Sequence, residues 1–305
     1  MKKPDLSIII VSYNSKKITQ DCLSSIYKSL EKSKLMVEII VVDNNSQDGS
    51  ADMLQKAQSS KSKVQNQNLK LKSIFNKENT GFGRANNQGV KAAKSDYILL
   101  LNSDIVVLED AINKIYKFYK QNEREINFLG AKLLNNDMGL QPSVAPFYSL
   151  PVVFAALFLR GDYWGLTRSS PNEVKKVDWV SGACILTKKL CFNKIKGFDE
   201  KVFMYMDEVD LLYRARQKNM TTYFYPEARF IHLGSASSGG RSFPIIQVFS
   251  GLTYFYKKHH SKFERFLLII ILKLKATIGL ILGYLFNNSY LKDTYGKAYQ
   301  MAKLD

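Results

Sequence analysis

Val41-Val42-Asp43-Asn44-Asn45-Ser46 and Leu99-Leu100-Leu101-Asn102-Ser103-Asp104 each carry an apolar run into a carboxylate. A buried strand that ends this way, at the carboxyl edge of a parallel sheet, lies where open α/β sheets hold their ligands. Working outward, Leu6–Tyr13 is a third short apolar run, rich in isoleucine and broken by Asn14-Ser15, and Ile18, Cys22, Ile26 and Leu30 follow at helical spacing. Val37–Val42 reads as a strand, and the turn-rich Asp43–Ser50 caps a helix from about Ala51. Ser59–Lys72 is polar and lysine-rich, a solvated connector, and Lys70–Asn76 is a weaker strand. A Gly/Asn loop, Asn79–Gly89, opens a helix to about Lys94. Tyr97–Leu101 is a strand and Glu109–Asn122 a helix. This β-α-β-α-β-α-β alternation predicts an α/β fold, a mostly parallel sheet with helices on both faces.

Farther along, the periodicity blurs between Phe128 and Ser181. Ala145–Arg160 sets Pro146 and Pro151 among bulky apolar residues and is expected over the site or against a membrane or partner. Trp179–Thr187 predicts one strand, and Phe203–Lys218 a helix behind the Gly197-Phe198-Asp199 turn. Thr221–Phe224 and Arg229–His232 predict two short strands. Beyond Arg241 the chain turns helical and apolar.

Composition narrows the classes. The 305 residues suffice for one large domain or two small ones, and 46% hydrophobic content supports a filled core. Cys22, Cys184 and Cys191 lack metal-ligand spacing and are expected as buried small hydrophobes in a reducing compartment. The opening Met1-Lys2-Lys3-Pro4-Asp5 runs into an apolar stretch too short for a secretory leader, so the amino-terminal domain is expected in the cytoplasm. The formal charge is +17, and residues 241–305 hold ten Lys/Arg against three Asp/Glu, a net of +7. A basic tail interleaved with apolar residues fits an anionic membrane surface, and no recognition motif points to nucleic acid.

Each chemical motif has a plain structural alternative. Asp43 is an acceptor-only group suited to the N3–H of a pyrimidine base, or else an Asx-turn or helix cap. Asp104, past a buried strand, suits a hard divalent cation, or else caps the helix that Glu109-Asp110 begins. The glycines of Asn79–Gly89 permit close backbone approach to an anion at a helix start, or form a tight turn. Asp207-Glu208-Val209-Asp210 crowds three acids, which raises pKa values toward a general base's range, or places acids favourably on a helix dipole. His232 precedes the flexible Leu233–Gly240 run, suited to closing over a ligand, and a lone histidine is also a common hydrogen-bonded residue.

The order of these motifs carries more than any one: the strand-end Asp, Asn-x-Gly-Phe-Gly-x-x-Asn-Asn, Asn-Ser-Asp, Ser-Gly-Ala-Cys, Gly-Phe-Asp-Glu, the acidic helix start, then His with a Ser/Gly loop. Over about residues 5–240 the series resembles the family 2 glycosyltransferases of GT-A fold, particularly the rhamnosyltransferase-like branch. The resemblance implies inverting transfer of a sugar from a nucleoside diphosphate donor, assisted by Mg²⁺ or Mn²⁺. It would have Asp43 hold the base, beside Ser12-Tyr13-Asn14. Asn79, Gly81, Arg84 and Asn87 would line the nucleotide and sugar. In Asn102-Ser103-Asp104, Asn102 would stand near the ribose and Asp104 bind the metal together with His232. The base would come from Asp207-Glu208, where the family pattern reads Glu-Asp, so position favours Glu208 and residue type Asp207.

The implied organisation is a transferase domain over 1–240, with a nucleotide-binding half (1–125) and an acceptor half (126–240), and a helical extension over 241–305. Two lysines at roughly +3 kcal/mol each nearly cancel a dozen apolar residues across 266–286, so insertion is marginal, and a helical hairpin or an interfacial helix docking on the cytoplasmic leaflet or on a partner protomer of a homodimer is expected ahead of a spanning segment. The resemblance implies a carbohydrate or polyprenyl-linked acceptor, with dTDP-rhamnose the leading donor and a UDP-hexose or UDP-galactofuranose behind it. A nucleotidyltransferase would need a basic glycine-rich loop after the first strand, where Ser12-Tyr13-Asn14-Ser15 stands. A non-catalytic binding protein would have lost Asp104 and the acidic pair.

Overall fold

The computed structural model describes residues 2–59, 68–202, 205–234 and 242–303. Ser235–Gly240, most of the lysine-rich connector and Phe203 lie outside the described residues. Those described form two compact units: one holds 2–59, 68–145, 169–202 and 207–234, the other 146–168, 205–206 and 242–303.

The first unit begins with β1 (Leu6–Ser12), α1 (Lys16–Ser29), β2 (Val37–Asp43), α2 (Ser50–Ser59), β3 (Leu69–Phe75), α3 (Phe82–Ala92) and β4 (Tyr97–Asn102). β2 and β4 flank β1, both parallel to it, and β3 runs parallel outside β2. Ile8, Ile9, Ile10, Ile39 and Ile40 are wholly buried, the fate of β-branched runs covered on both faces. Next come β5 (Ile105–Val107), α4 (Ala111–Gln121), β6 (Phe128–Leu134), β7 (Leu140–Gln141) and β8 (Val144–Ala145). α5 (Leu150–Phe158) belongs to the second unit. The first resumes with β9 (Lys175–Val177), β10 (Trp179–Val180), β11 (Cys184–Lys188), α6 (Lys189–Lys194), α7 (Asp207–Gln217) and β12 (Thr222–His232). The main sheet runs β3-β2-β1-β4-β11-β6-β12-β5, with β7 on β6 and β9 on β12. It is mixed: β11 is antiparallel to both β4 and β6, while β12 is parallel to β6.

Three expected elements differ. Trp179–Thr187 is two strands: β10 pairs with β8 in a small separate ladder and β11 enters the main sheet, with Ser181-Gly182-Ala183 turning between them. The two short strands after Thr221 are one strand, irregular between Tyr225 and Arg229, where Pro226 lacks an N–H for the ladder. The helix expected from Phe203 starts at Asp207, because Tyr205 and Met206 hold left-handed φ of 64° and 68°. Such backbone costs non-glycine residues roughly 1–2 kcal/mol each.

The second unit adds α8 (Ser242–His259), α9 (Lys262–Leu285) and α10 (Ser289–Met301) to α5. α9 opens on a capping box: Ser261 Oγ accepts from the Glu264 N–H at 3.2 Å and the Ser261 N–H donates to Glu264 Oε2 at 3.0 Å. The Tyr256 hydroxyl donates to the Tyr148 carbonyl at 2.9 Å, and Lys275 Nζ to the Leu157 carbonyl at 2.7 Å, which ties the 146–168 segment to these helices.

Phe230, fully buried on β12, anchors the strand that ends at His232. Phe230→Ala is expected to cost about 3–5 kcal/mol, read as a lowered urea midpoint of unfolding.

Candidate active site

The strand-end carboxylate at Asp43 is a buried clasp. Ser46 donates to it through its N–H (3.0 Å) and its hydroxyl (2.6 Å). Asn14, at φ 47°, closes the same turn: its N–H donates to Ser46 Oγ at 2.9 Å and its Oδ1 accepts from the Gln47 N–H at 2.7 Å. The Asx-turn alternative is therefore realised, and Asp43 keeps further acceptor lone pairs. Ser12 Oγ lies 3.2 Å from Ser15 Oγ and 3.1 Å from Thr19 Oγ1, an internal hydroxyl cluster, while Tyr13 is exposed.

Asn44, unremarked in the sequence, is the hub of this edge. Its Nδ2 donates to the Gly81 carbonyl at 3.1 Å, and its Oδ1 accepts from Asn76 Nδ2 at 2.8 Å and Thr80 Oγ1 at 3.1 Å. The turn after β2 and the loop before α3 are thus one hydrogen-bonded piece. Asn79 Oδ1 accepts from the Gly81 N–H at 3.0 Å, and Gly81 caps α3 at φ 82°, a backbone that suits glycine. Asn87 has both amide atoms engaged by the Gly197–Glu200 turn: Oδ1 accepts from the Phe198 N–H at 2.9 Å and Nδ2 donates to the Phe198 carbonyl at 3.0 Å. Arg84, half exposed, lies 3.7 Å from Glu200.

Asp104 and His232 come together through strand register. β5 pairs antiparallel with β12 so that His232 stands opposite Ile105, and the Leu233 N–H donates to the Asp104 carbonyl at 3.0 Å. Asp104 Oδ1 lies 3.4 Å from His232 Nε2, with both side chains largely shielded. Gln141, which no sequence pattern marked, holds the other ring nitrogen: its Oε1 sits 2.7 Å from His232 Nδ1, while its Nε2 donates to Asn135 Oδ1 at 2.9 Å and to the His232 carbonyl at 3.2 Å. With Nδ1–H donating to Gln141, Nε2 turns a lone pair toward the Asp104 carboxylate. Asn102 Nδ2 is 3.4 Å from the same Nε2, and Asn102 Oδ1 is buried with no hydrogen-bond partner. This donor set fits a hard divalent ion held by one carboxylate and one imidazole, with the remaining ligands from substrate and solvent. Among the described residues no group of three or more His, Cys, Asp or Glu forms a self-sufficient cage. Ser103 completes the turn between Asn102 and Asp104.

The β10–β11 turn links this pair to the acidic helix start. The Ala183 carbonyl accepts from the Asn102 N–H at 3.1 Å, and the neighbouring Gly182 N–H donates to Glu208 Oε1 at 3.4 Å. The three acids of α7 have separate circumstances. Asp210 accepts from Arg214 Nε at 2.7 Å, and Arg214 also donates to the Ile195 and Gly197 carbonyls. Asp207 is buried with Oδ1 unpartnered, and burial, aided by the Glu208 charge, pushes its carboxyl well above the usual range. Glu208 alone is partly open to solvent. The three cysteines are buried and free, and burial, with the Asp104 charge next, pushes the Cys22 thiol up to about 12.

Burial lets the folded Asp207 carboxyl hold its proton to a higher pH than the unfolded chain does, where it ionises above about pH 4. Its contribution is therefore present below the unfolded pKa and is lost as pH rises toward the folded value. Asp207→Asn mimics the protonated form, so it should raise Tm at pH 8 and lose that advantage near pH 4, measured by thermal melts across pH.

Residues 7–147 match the model for Glycosyl transferase family 2, a stretch from β1 to just past β8 that includes Asp43, the Asn79–Gly89 loop and Asp104. The chain is 25% identical over 220 residues to a low-salt glycan biosynthesis hexosyltransferase of Haloferax volcanii, covering 71% of this chain and 63% of that protein, under two thirds of its length. It is 24% identical over 244 residues to the N-acetylglucosaminyl-diphospho-decaprenol L-rhamnosyltransferase of Mycobacterium tuberculosis, covering 77% and 78%. In fold it resembles the mannosyltransferase PcManGT of Pyrobaculum calidifontis, solved with GDP-Man and Mn²⁺, at TM-score 0.58 and 13% identity, over 99% of this chain and 87% of that one. The match over residues 7–147, the hexosyltransferase and rhamnosyltransferase relatives and the likeness in fold together support a family 2 glycosyltransferase, an enzyme built on the GT-A fold with rhamnosyltransferase-like relatives.

Proposed function

We propose that the chain transfers a sugar from a nucleoside diphosphate to a hydroxyl of a cell-surface polysaccharide or polyprenyl-linked acceptor at the inner face of the cell membrane, with inversion at the anomeric carbon. The supporting observation is the Asp104–His232 pair at 3.4 Å, joined through Ala183 and Gly182 to Glu208. L-Rhamnose from dTDP-rhamnose is the donor proposed first, in keeping with the mycobacterial relative's name. A UDP-hexose or UDP-galactofuranose is the second reading.

Glu208 takes the proton of the acceptor hydroxyl as its oxygen attacks the anomeric carbon, and the bond from that carbon to the diphosphate oxygen breaks on the opposite face. Asp207 is buried, and burial favours its neutral form, so this work falls to its neighbour. Asp104 and His232 would hold Mg²⁺ or Mn²⁺, which when bound offsets the charge on a leaving diphosphate. Gln141 keeps the His232 ring in the tautomer that frees Nε2, the role such outer partners play around ligating histidines. Asp43, on its remaining lone pairs, accepts from the pyrimidine N3–H, with Tyr13 exposed beside it. Arg84 and the Asn79–Gly81 backbone border the phosphates and sugar. Holding donor and acceptor aligned supplies much of the remaining barrier reduction.

A panel of nucleotide sugars, read by nucleoside diphosphate release with Mn²⁺, with Mg²⁺ and with a chelator, tests the reading. Release from one donor that the chelator abolishes is expected, and no turnover or diphosphate binding with any donor would overturn it. Glu208→Gln should cut turnover by roughly 10²-fold or more with little change in donor affinity, whereas Asp207→Asn should retain most of it. The reverse ranking would move the base to Asp207. Gln141→Leu is expected to weaken Mn²⁺ binding by about 10- to 100-fold in calorimetric titration.

A further inference from the structure

α9 is long and apolar enough to cross a membrane, yet the two lysines in its middle are turned aside. Lys273 Nζ lies over the Tyr299 ring of α10, 5.1 Å from its centroid, and Lys275 Nζ donates to the Leu157 carbonyl while resting over the Phe158 ring of α5. At about 100° per residue they flank opposite sides of Leu274. Between those flanks Phe263, Phe266, Ile270, Leu274, Ile281 and Leu285 form an exposed apolar stripe, and Glu264 of the capping box, at the amino-terminal end, is the one charged residue of α9 in that sector. A helix of 24 residues makes this stripe about 36 Å long.

A second, distant piece of sequence in the same compact unit also exposes apolar and aromatic side chains. Lys275 joins α9 to α5, where Phe154 stacks on Phe158 at 4.9 Å and is itself exposed. The turn after α5 carries Tyr163 and Trp164, packed edge to face at 5.1 Å and exposed at 77% and 67%. Tyrosine and tryptophan with one apolar and one polar edge are the residues enriched at membrane–water boundaries. In sequence the turn lies between Arg160 and Arg168 with Asp162 the one acid there, and residues 241–305 carry a net of +7.

The opposite side of α9 is taken. Leu268, Leu272, Ala276, Gly279 and Gly283 are buried, and a Cβ at Gly279 would lie 2.3 Å from the Tyr295 ring, so α10 packs close along the carboxyl half of α9. α10 presents Asp293 and Lys297 to solvent. A spanning α9 would draw that polar helix into hydrocarbon, whereas a helix lying in the interface leaves it in water.

We propose that the α9 stripe and the Tyr163-Trp164 turn form one docking face for the surface of a phospholipid bilayer containing anionic lipid, with α9 in the membrane plane. The apolar face enters the headgroup boundary, Lys273 and Lys275 mark its two edges, and the basic surplus draws the unit to negative charge. This contact deepens the membrane placement in the proposed function, and because vesicle binding is read without sugar transfer, the two can fail separately.

The full chain tests it by sedimentation with phosphatidylcholine vesicles, with and without phosphatidylglycerol, at low and high salt. Binding is expected to the mixed vesicles, to weaken with salt, and to fall by about tenfold or more in Leu274→Asp/Ile281→Asp, whose exposed positions leave far-UV circular dichroism unchanged. Trp164 emission should shift to the blue on mixed vesicles, while Trp179, only 2% exposed, already sits in an apolar setting. Equal vesicle binding by the variant would overturn the proposal. So would extraction-resistant insertion, which means spanning, or a lipid-independent dimer that the variant dissociates, which means a second copy covers the stripe.

Discussion

The site depends on one piece of strand register: three residues of β5 paired antiparallel with the end of β12. That pairing sets His232 opposite Ile105 and brings its ring to the Asp104 carboxylate, although the two residues are far apart in the chain. Because side chains alternate along a strand, a slip of one residue would turn the imidazole to the other face. The surrounding structure over-determines the register. β12 is also paired on its other side with β6, and Phe230, two residues before the histidine, is sealed in the core. Stability of the sheet and assembly of the site are the same fact at this position.

Around that pair, side-chain amides and one ion pair hold the local structure in place. Gln141 fixes a ring, Asn44 fuses two loops, and Arg214 draws Asp210 out of the acidic trio into the Gly197 turn. What remains is one partly open carboxylate, Glu208, hydrogen-bonded to a backbone amide next to the residue that supports Asn102. The neighbouring left-handed pair Tyr205-Met206 sets where α7 can start, and so which acid falls at its first position. Unfavourable backbone beside a functional helix start is a common place for stored strain.

Much of this was legible before any coordinates. The isoleucine- and leucine-rich runs ending in Asp43 and Asn102 mark β2 and β4 because continuous apolar character is what a strand covered on both faces needs. β6 was missed because Gly130 and Lys132 interrupt its pattern, though Lys132 is buried and donates to Asn172 at 2.6 Å. The joining of Thr221–Phe224 to Arg229–His232 was hidden by Pro226, which interrupts pairing without ending the strand. Asn87 resembled a ligand-facing residue, but its partner turn lies 111 residues later, a contact that no local reading contains. Gln141 had no signal at all, since a glutamine on a two-residue strand is ordinary until the histidine it meets is known.

The sheet's two ends have a bearing on solution behaviour. Among the described residues β3 borders the sheet on one side, and on the other the short strands β5 and β9 border it against the two ends of β12. An open strand edge invites a neighbour's backbone to add on, the first step toward aggregates. β3 points Lys70 and Lys72 outward into water, and β5 is only three residues long. One border repels by charge and the other is too short to template a partner, so crowding many copies together in a cell should not knit them edge to edge.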